Sequence, residues 1–218
     1  MSGRSSTRTS AALVALAVVS FGGGRAALAS PSPLKVAAAA DLALAFKDVG
    51  AAYEKKTGDK VIFSFGSTGL LEKQIVEGAP FDLFAAANIS FAEDAIKAGA
   101  CSADSKTLYA RGRIVMWWRK DSGVAPPKDL ADLADKRFVK IAIANPAHAP
   151  YGQAAQQAMG KIGIGPLVKP KLVFGENVQQ TLQFAQSGNA EIAIVALSLA
   201  VISDGSFMMV PDELHGAI

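Results

Sequence analysis

The chain has 218 residues, half of them hydrophobic, and its 22 Lys and Arg against 19 Asp and Glu give a formal net charge of +3. That is enough apolar material for one or two cores. A single cysteine, Cys101, excludes an internal disulfide, so the fold must rest on its packing.

The first 29 residues stand apart. Arg4 and Arg8 precede an uncharged apolar run over residues 11–19, and Ala27-Leu28-Ala29 offers small residues for cleavage before Ser30. This is the layout of a secretory signal peptide cleaved after Ala29, and the run is too short to span a membrane. No cysteine follows the cleavage site, so no lipid anchor is expected there. Arg4, Arg8 and Arg25 leave with the leader, so the 189 remaining residues carry 19 bases against 19 acids. The basic pI of 9.0 therefore points neither to nucleic acid nor to a membrane surface.

Beyond the leader the pattern alternates between two periods. Lys35 to Ala39 reads as a short buried strand. Asp41 to Thr57 places Leu42, Ala45, Phe46, Val49 and Tyr53 on one helical face, with Gly58 as its stop. Val61 to Phe65 is a strand, Leu70, Leu71 and Ile75 mark a helix ending near Gly78, and Asp82 to Ala86 is a strand. Ser90-Phe91-Ala92-Glu93 fits a capping box for a helix that stops at Gly99. Arg113 to Trp118 is a strand, Lys128 to Leu133 a short helix, Lys140 to Ala144 a strand and Gly152 to Met159 a helix. Lys171 to Val173 is a strand, Asn177 starts a helix ending at Gly188, and Ile192 to Val195 is a strand. Such alternation implies α/β layers with largely parallel sheets. Ligands of such sheets sit outside the carboxyl ends of the strands.

Four strand-to-helix junctions share one character: Ala39-Ala40-Asp41, Gly66-Ser67-Thr68, Pro150-Tyr151-Gly152 and Glu176-Asn177-Val178. Each presents backbone N–H groups without helical partners, and the helix dipole adds partial positive charge. Together they form an anion site that needs no Lys or Arg. Taken singly, Asp41, Ser67, Thr68 and Asn177 are also ordinary N-cap residues, and only the recurrence favours a site. Gly66-Ser67-Thr68-Gly69 is neither a nucleophile elbow, since Phe65 stands at its first glycine, nor a phosphate loop, since it lacks the lysine. His148 and His215, the only histidines, lack the spacing of a zinc site. Trp117-Trp118 reads as core.

At these residues the chain resembles the periplasmic molybdate-binding proteins that feed ABC transporters. The resemblance runs from about Leu34 to Pro211 and is carried by Ala37 to Leu42, Phe65 to Gly69, Gly78 to Phe84, Asn145 to Gly152, Gly175 to Val178 and Ile194 to Ser198. It implies a two-lobed type II binding-protein fold, each lobe a mostly parallel sheet flanked by helices, with a tetrahedral oxyanion in the cleft. Lobe one would take residues 30–113 plus 197–218, and lobe two residues 114–196. The match implies oxyanion contacts at Asp41 (through its N–H), Thr68, Tyr151 and Val178, with Ser67 and Asn177 beside them. It further implies a monomer in the periplasm that delivers molybdate or tungstate to a membrane permease. No cofactor, free metal cation, nucleic acid or catalysis is implied.

The chain departs from the family in three places. Many members have Ser where Asp41 stands; a carboxylate facing a dianion repels it, so Asp41 is expected to cap its own helix and point away. Many have an oxyanion-contacting Tyr where Ala196 stands, and Tyr151 is expected to supply that phenol instead. Family chains continue past Val210-Pro211 with a further strand and helix, so part of lobe one is expected to be missing. Other readings are a sulfate- or phosphate-binding protein, the latter if Asp41 or Glu176 faces the cleft, and a secreted serine hydrolase using Ser67 with His148.

Overall fold

The computed structural model describes residues 32–218. The leader expected over residues 1–29 lies outside them. Among the described residues no helix is long and apolar enough to cross a membrane.

Two sheets organise the chain. β1 (Leu34–Ala39) is the centre of a three-stranded sheet, flanked in parallel by β2 (Val61–Gly66) and β3 (Leu83–Ala85). Ala37 and Ala38 of β1 are fully buried, as expected of a central strand covered on both faces. A five-stranded sheet has the order β6-β5-β7-β4-β8, with β4 (Ile114–Trp118), β5 (Ile141–Ala144), β6 (Leu172–Gly175), β7 (Ile192–Ala196) and β8 (Ser206–Met209). β5 runs parallel to β6 and β7, whereas β4 is antiparallel to both β7 and β8. β8 therefore stays in the second sheet, within the stretch expected to return to lobe one. Ile114, Trp117, Phe138, Ile141, Ile143 and Ile194 make the fully buried centre around this sheet.

The helices are α1 (Ala43–Thr57), α2 (Thr68–Val76), α3 (Ile89–Lys97), α4 (Pro150–Lys161), α5 (Gly165–Val168), α6 (Val178–Gln186) and α7 (Leu197–Ala200). Gly58 ends α1 at φ 83°, in the left-handed region that favours glycine, and its N–H closes on Glu54 O at 2.8 Å.

Three local expectations need correction. α3 is capped by Asn88, whose side chain accepts from the Ser90 N–H at 2.8 Å, so Ser90 sits inside the helix rather than at its cap. The short helix expected over 128–133 is a 3-10 turn at Ala131–Ala134. There the carboxylates of Asp132 and Asp129 accept from the N–H groups of Lys128 and Asp132, competing with helical bonding. α4 starts at Pro150, ahead of the expected Gly152, because a proline at the first helical position has no N–H to lose.

The architecture aims four strand ends at one place. β1 delivers Asp41, β2 delivers Ser67 and Thr68, β5 leads into the N-terminus of α4, and β6 into that of α6. Two of these ends come from each sheet.

Candidate oxyanion site

All six candidate residues meet. Asp41, Ser67, Thr68, Tyr151, Asn177 and Val178 line a single cavity of about 10 Å³, together with Ala39, Ala40, Gly66, Ala87, Ala149 and Pro150. That is room for about one water, which needs ~10–15 Å³ by this measure. α2, α4 and α6 point their N-termini at it, and the 3-10 turn Ala40–Leu42 supplies the fourth wall. Among the described residues no lysine, arginine or histidine is in the lining. The partial charges of three helix ends are the fixed positive character of the site.

Each junction commits its polar atoms differently. Asn177 is a true cap: its Oδ1 accepts from the N–H groups of Gln179 and Gln180, both at 3.0 Å. The Val178 N–H, at the first position of α6, has no helical acceptor. Asn177→Ala should cost about 1 kcal/mol and lower the unliganded melting temperature by about 2–4 °C. Thermal unfolding checks this, and an unchanged midpoint would contradict the capping role.

Thr68 is 1% exposed, and its Oγ1 accepts from the Ala87 N–H at 3.2 Å, which leaves its own hydroxyl proton to donate. Ser67 precedes α2 but makes no side-chain cap. Its hydroxyl instead donates to the carbonyl of His148 at 2.7 Å and lies 2.8 Å from His148 Nδ1. The Gly69 N–H donates to the same carbonyl at 2.9 Å. The first turn of α2 is thereby tied to the loop before α4, and so the first sheet to the second. The Ser67–His148 contact brings together the pair a serine hydrolase would use, but no carboxylate is hydrogen-bonded to His148 among the described residues, and a triad needs that orienting acid.

Contrary to expectation, Asp41 does not cap its own helix. It lies inside the 3-10 turn and caps nothing. It is 8% exposed, and its Oδ2 accepts from the Tyr151 hydroxyl at 2.9 Å. Its Oδ1 is buried without any partner. Burial pushes its carboxyl up from the ordinary 3.8 to about 6, against the opposing pull of the Tyr151 hydroxyl and its own backbone N–H. An acid raised in the native state adds stability at low pH that is lost as pH climbs from 3.8 through about 6. Tyr151 is likewise raised, by burial first and then by the Asp41 charge.

Ser67 and His148 do meet, as the hydrolase reading requires, whereas the bonding of the His148 carbonyl, the part of Ala87 and Tyr151's engagement with Asp41 were not foreseen, because none is a matter of local spacing. The sequence signal available for His148 was its place two residues before α4, where its carbonyl rather than its ring does most of the bonding. A larger cavity of about 780 Å³ shares Asp41, Ala87 and Tyr151 with the first and is bordered among others by Lys106, Tyr109, Arg111 and Arg113.

Residues 34–218 match the family described as bacterial extracellular solute-binding protein. The chain is 40% identical over 206 residues to the molybdate-binding protein ModA of Azotobacter vinelandii, covering 92% of this chain and 81% of that one. It is 35% identical over 196 residues to ModA of Rhodobacter capsulatus, covering 89% and 77%. Among solved structures it is similar to the Azotobacter vinelandii periplasmic molybdate-binding protein, with a TM-score of 0.77 at 29% identity over 85% of this chain and 82% of that one.

Proposed function

Because the chain belongs to the bacterial extracellular solute-binding proteins and, within them, to the molybdate-binding ModA family, we propose that it captures molybdate outside the cytoplasm and hands it to an ABC permease. The observation that carries this reading is the convergence of all four junctions on one cavity without a basic side chain. Neutral N–H and O–H donors suit an anion that stays deprotonated at neutral pH, and they avoid the desolvation cost of a buried Lys or Arg. Thr68, through its hydroxyl and its N–H, and the N–H groups of Tyr151 and Val178 are the proposed donors, since those of Gly69, Gln179 and Gln180 are already bonded within the protein.

Binding is capture without chemistry. A cavity of about 10 Å³ is smaller than a tetrahedral oxyanion, so its walls part to admit one and close on it. Lobe one in this reading holds the three-stranded sheet, and lobe two begins at Ile114 and runs through β8 to Met209, since that strand pairs with β4. Selection of molybdate or tungstate over sulfate follows from how far the walls part, since all carry the same charge and offer only acceptors. The site is periplasmic in this reading, reached through the cleaved leader, and the protein acts as a monomer.

Thermal unfolding with added anions tests the proposal. Molybdate at a hundredfold excess over its Kd should stabilise by about 2.7 kcal/mol, a rise of roughly 5–10 °C for a chain of this size. Tungstate should match it and sulfate should fall well short. Because Asp41 lines the cavity, phosphate is a required comparison; stabilisation by sulfate or phosphate alone, or by no anion, would overturn the assignment.

A further inference from the structure

A carboxyl group in the wall of an anion site demands an account. Asp41 lines the cavity, is buried, and holds one oxygen, Oδ2, against the Tyr151 hydroxyl at 2.9 Å. The other oxygen, Oδ1, is buried and accepts no hydrogen bond from another residue; only the Asp41 N–H lies near the carboxyl. As a carboxylate it would present an unneutralised acceptor to a ligand that itself offers only acceptors. Among the described residues no lysine or arginine reaches Asp41 to cancel the charge: Lys106, Arg111 and Arg113 border the larger cavity without an ion pair to it, and Lys106 pairs with Glu93. The remaining titratable groups about it are Tyr151, Tyr109, which feels its charge, and His148, held behind Ser67.

We propose that anion capture at this site is coupled to the uptake of one proton by Asp41, whose unpartnered Oδ1 becomes an O–H donor to the bound oxyanion. The inference rests on the molybdate reading of the site and deepens it. The balance is simple: one proton leaves water and bonds to Oδ1, the carboxylate becomes a neutral acid, and no other bond forms or breaks. The Tyr151 hydroxyl stays on Oδ2, which directs the proton to Oδ1 and holds the carboxyl plane; Tyr151 is in this respect a positioning residue. The site then contains neutral donors throughout, and its one acid does the work that a serine hydroxyl does without a proton. Burial already favours the neutral acid, and an approaching dianion favours it further.

The test is calorimetric titration of the full chain with molybdate in buffers of different ionisation enthalpy, from about pH 6 to about pH 8.5. Uptake should approach one proton per molybdate near neutral pH, and affinity should fall by up to about tenfold per pH unit as pH rises. Asp41→Asn places an amide N–H donor in the same position, so its binding should take up no proton and should lose that pH dependence. Tyr151→Phe should keep the proton uptake but bind more weakly. Tight binding by the unaltered chain with no proton uptake would overturn the proposal, as would the same uptake in Asp41→Asn, which would assign it to His148 or another group. Failure of the unaltered chain to bind molybdate at any pH is a different result: it would remove the molybdate reading itself, and this inference with it.

Discussion

Gly69→Ala should weaken molybdate binding at least about tenfold, close to 1.4 kcal/mol, while leaving the helices and sheets in place. A Cβ at this position would lie 2.8 Å from the His148 carbonyl oxygen, 2.9 Å from the Phe91 ring and 3.2 Å from His148 Cα. The nearest of these is backbone, so the first turn of α2 must back away from the loop that precedes α4. That movement breaks the Gly69 N–H bond to His148 and pulls the Ser67 hydroxyl from the same carbonyl. Both bonds cross from the first sheet's side of the cavity to the second's, and with the Tyr151–Asp41 bond they hold the walls together. On the proposed reading the variant stays folded but closes poorly. Calorimetry gives the affinity and far-ultraviolet circular dichroism the fold; an unaltered affinity would mean that this approach is not needed for capture. Ser67→Ala removes one bond without forcing the backbones apart, and should cost less.

Gly152→Ala should be the more damaging change to stability. Its Cβ would sit 1.9 Å from the carbonyl oxygen of Ala144 and 2.6 Å from the carbonyl carbon, both backbone atoms at the end of β5. Neither can yield without moving the strand from its neighbours β6 and β7. Overpacking of this kind costs about 3 kcal/mol or more when the obstacle is rigid. The expected fall in melting temperature is roughly 6–12 °C. A midpoint within about 2 °C of the unaltered chain would show that α4 can slide on the sheet. The two glycines make different contributions: Gly152 lets a helix start against its own sheet, whereas Gly69 lets parts of the two sheets' surroundings touch.

Much of the architecture was legible because it is local. The strand at Ala37-Ala38-Ala39, the stop at Gly58 and the Asn177 cap each follow from residues within a few positions of one another. Alternating periods also implied parallel α/β layers, and the order of elements implied that strand ends would converge. The antiparallel insertion of β4 between β7 and β8 was not legible, because a buried run such as Ile114-Val115-Met116-Trp117 has no feature that records its direction. β8 and α7 were missed for a related reason: each is four residues long, too short to show a period.

The candidate residues themselves were chosen from turn chemistry and resemblance, and they do share one cavity. Their individual bonding could not be chosen that way. A sequence shows that Asp41 follows a strand, and capping is then the cheapest use of its carboxyl. It cannot show that a phenol 110 positions away will reach that carboxyl, nor that one of its oxygens will be buried without a donor.

By itself, then, the sequence determined the alternation of strands and helices, the four helix starts and the absence of basic residues from them, since these depend on neighbours along the chain. Only the tertiary structure decided that Ser67 bonds His148 across the cavity and that Asp41 faces Tyr151 inside it. The physical reason is that hydrogen bonds between distant segments, and the burial that shifts a carboxyl group's proton affinity, exist only once two sheets have brought those segments together.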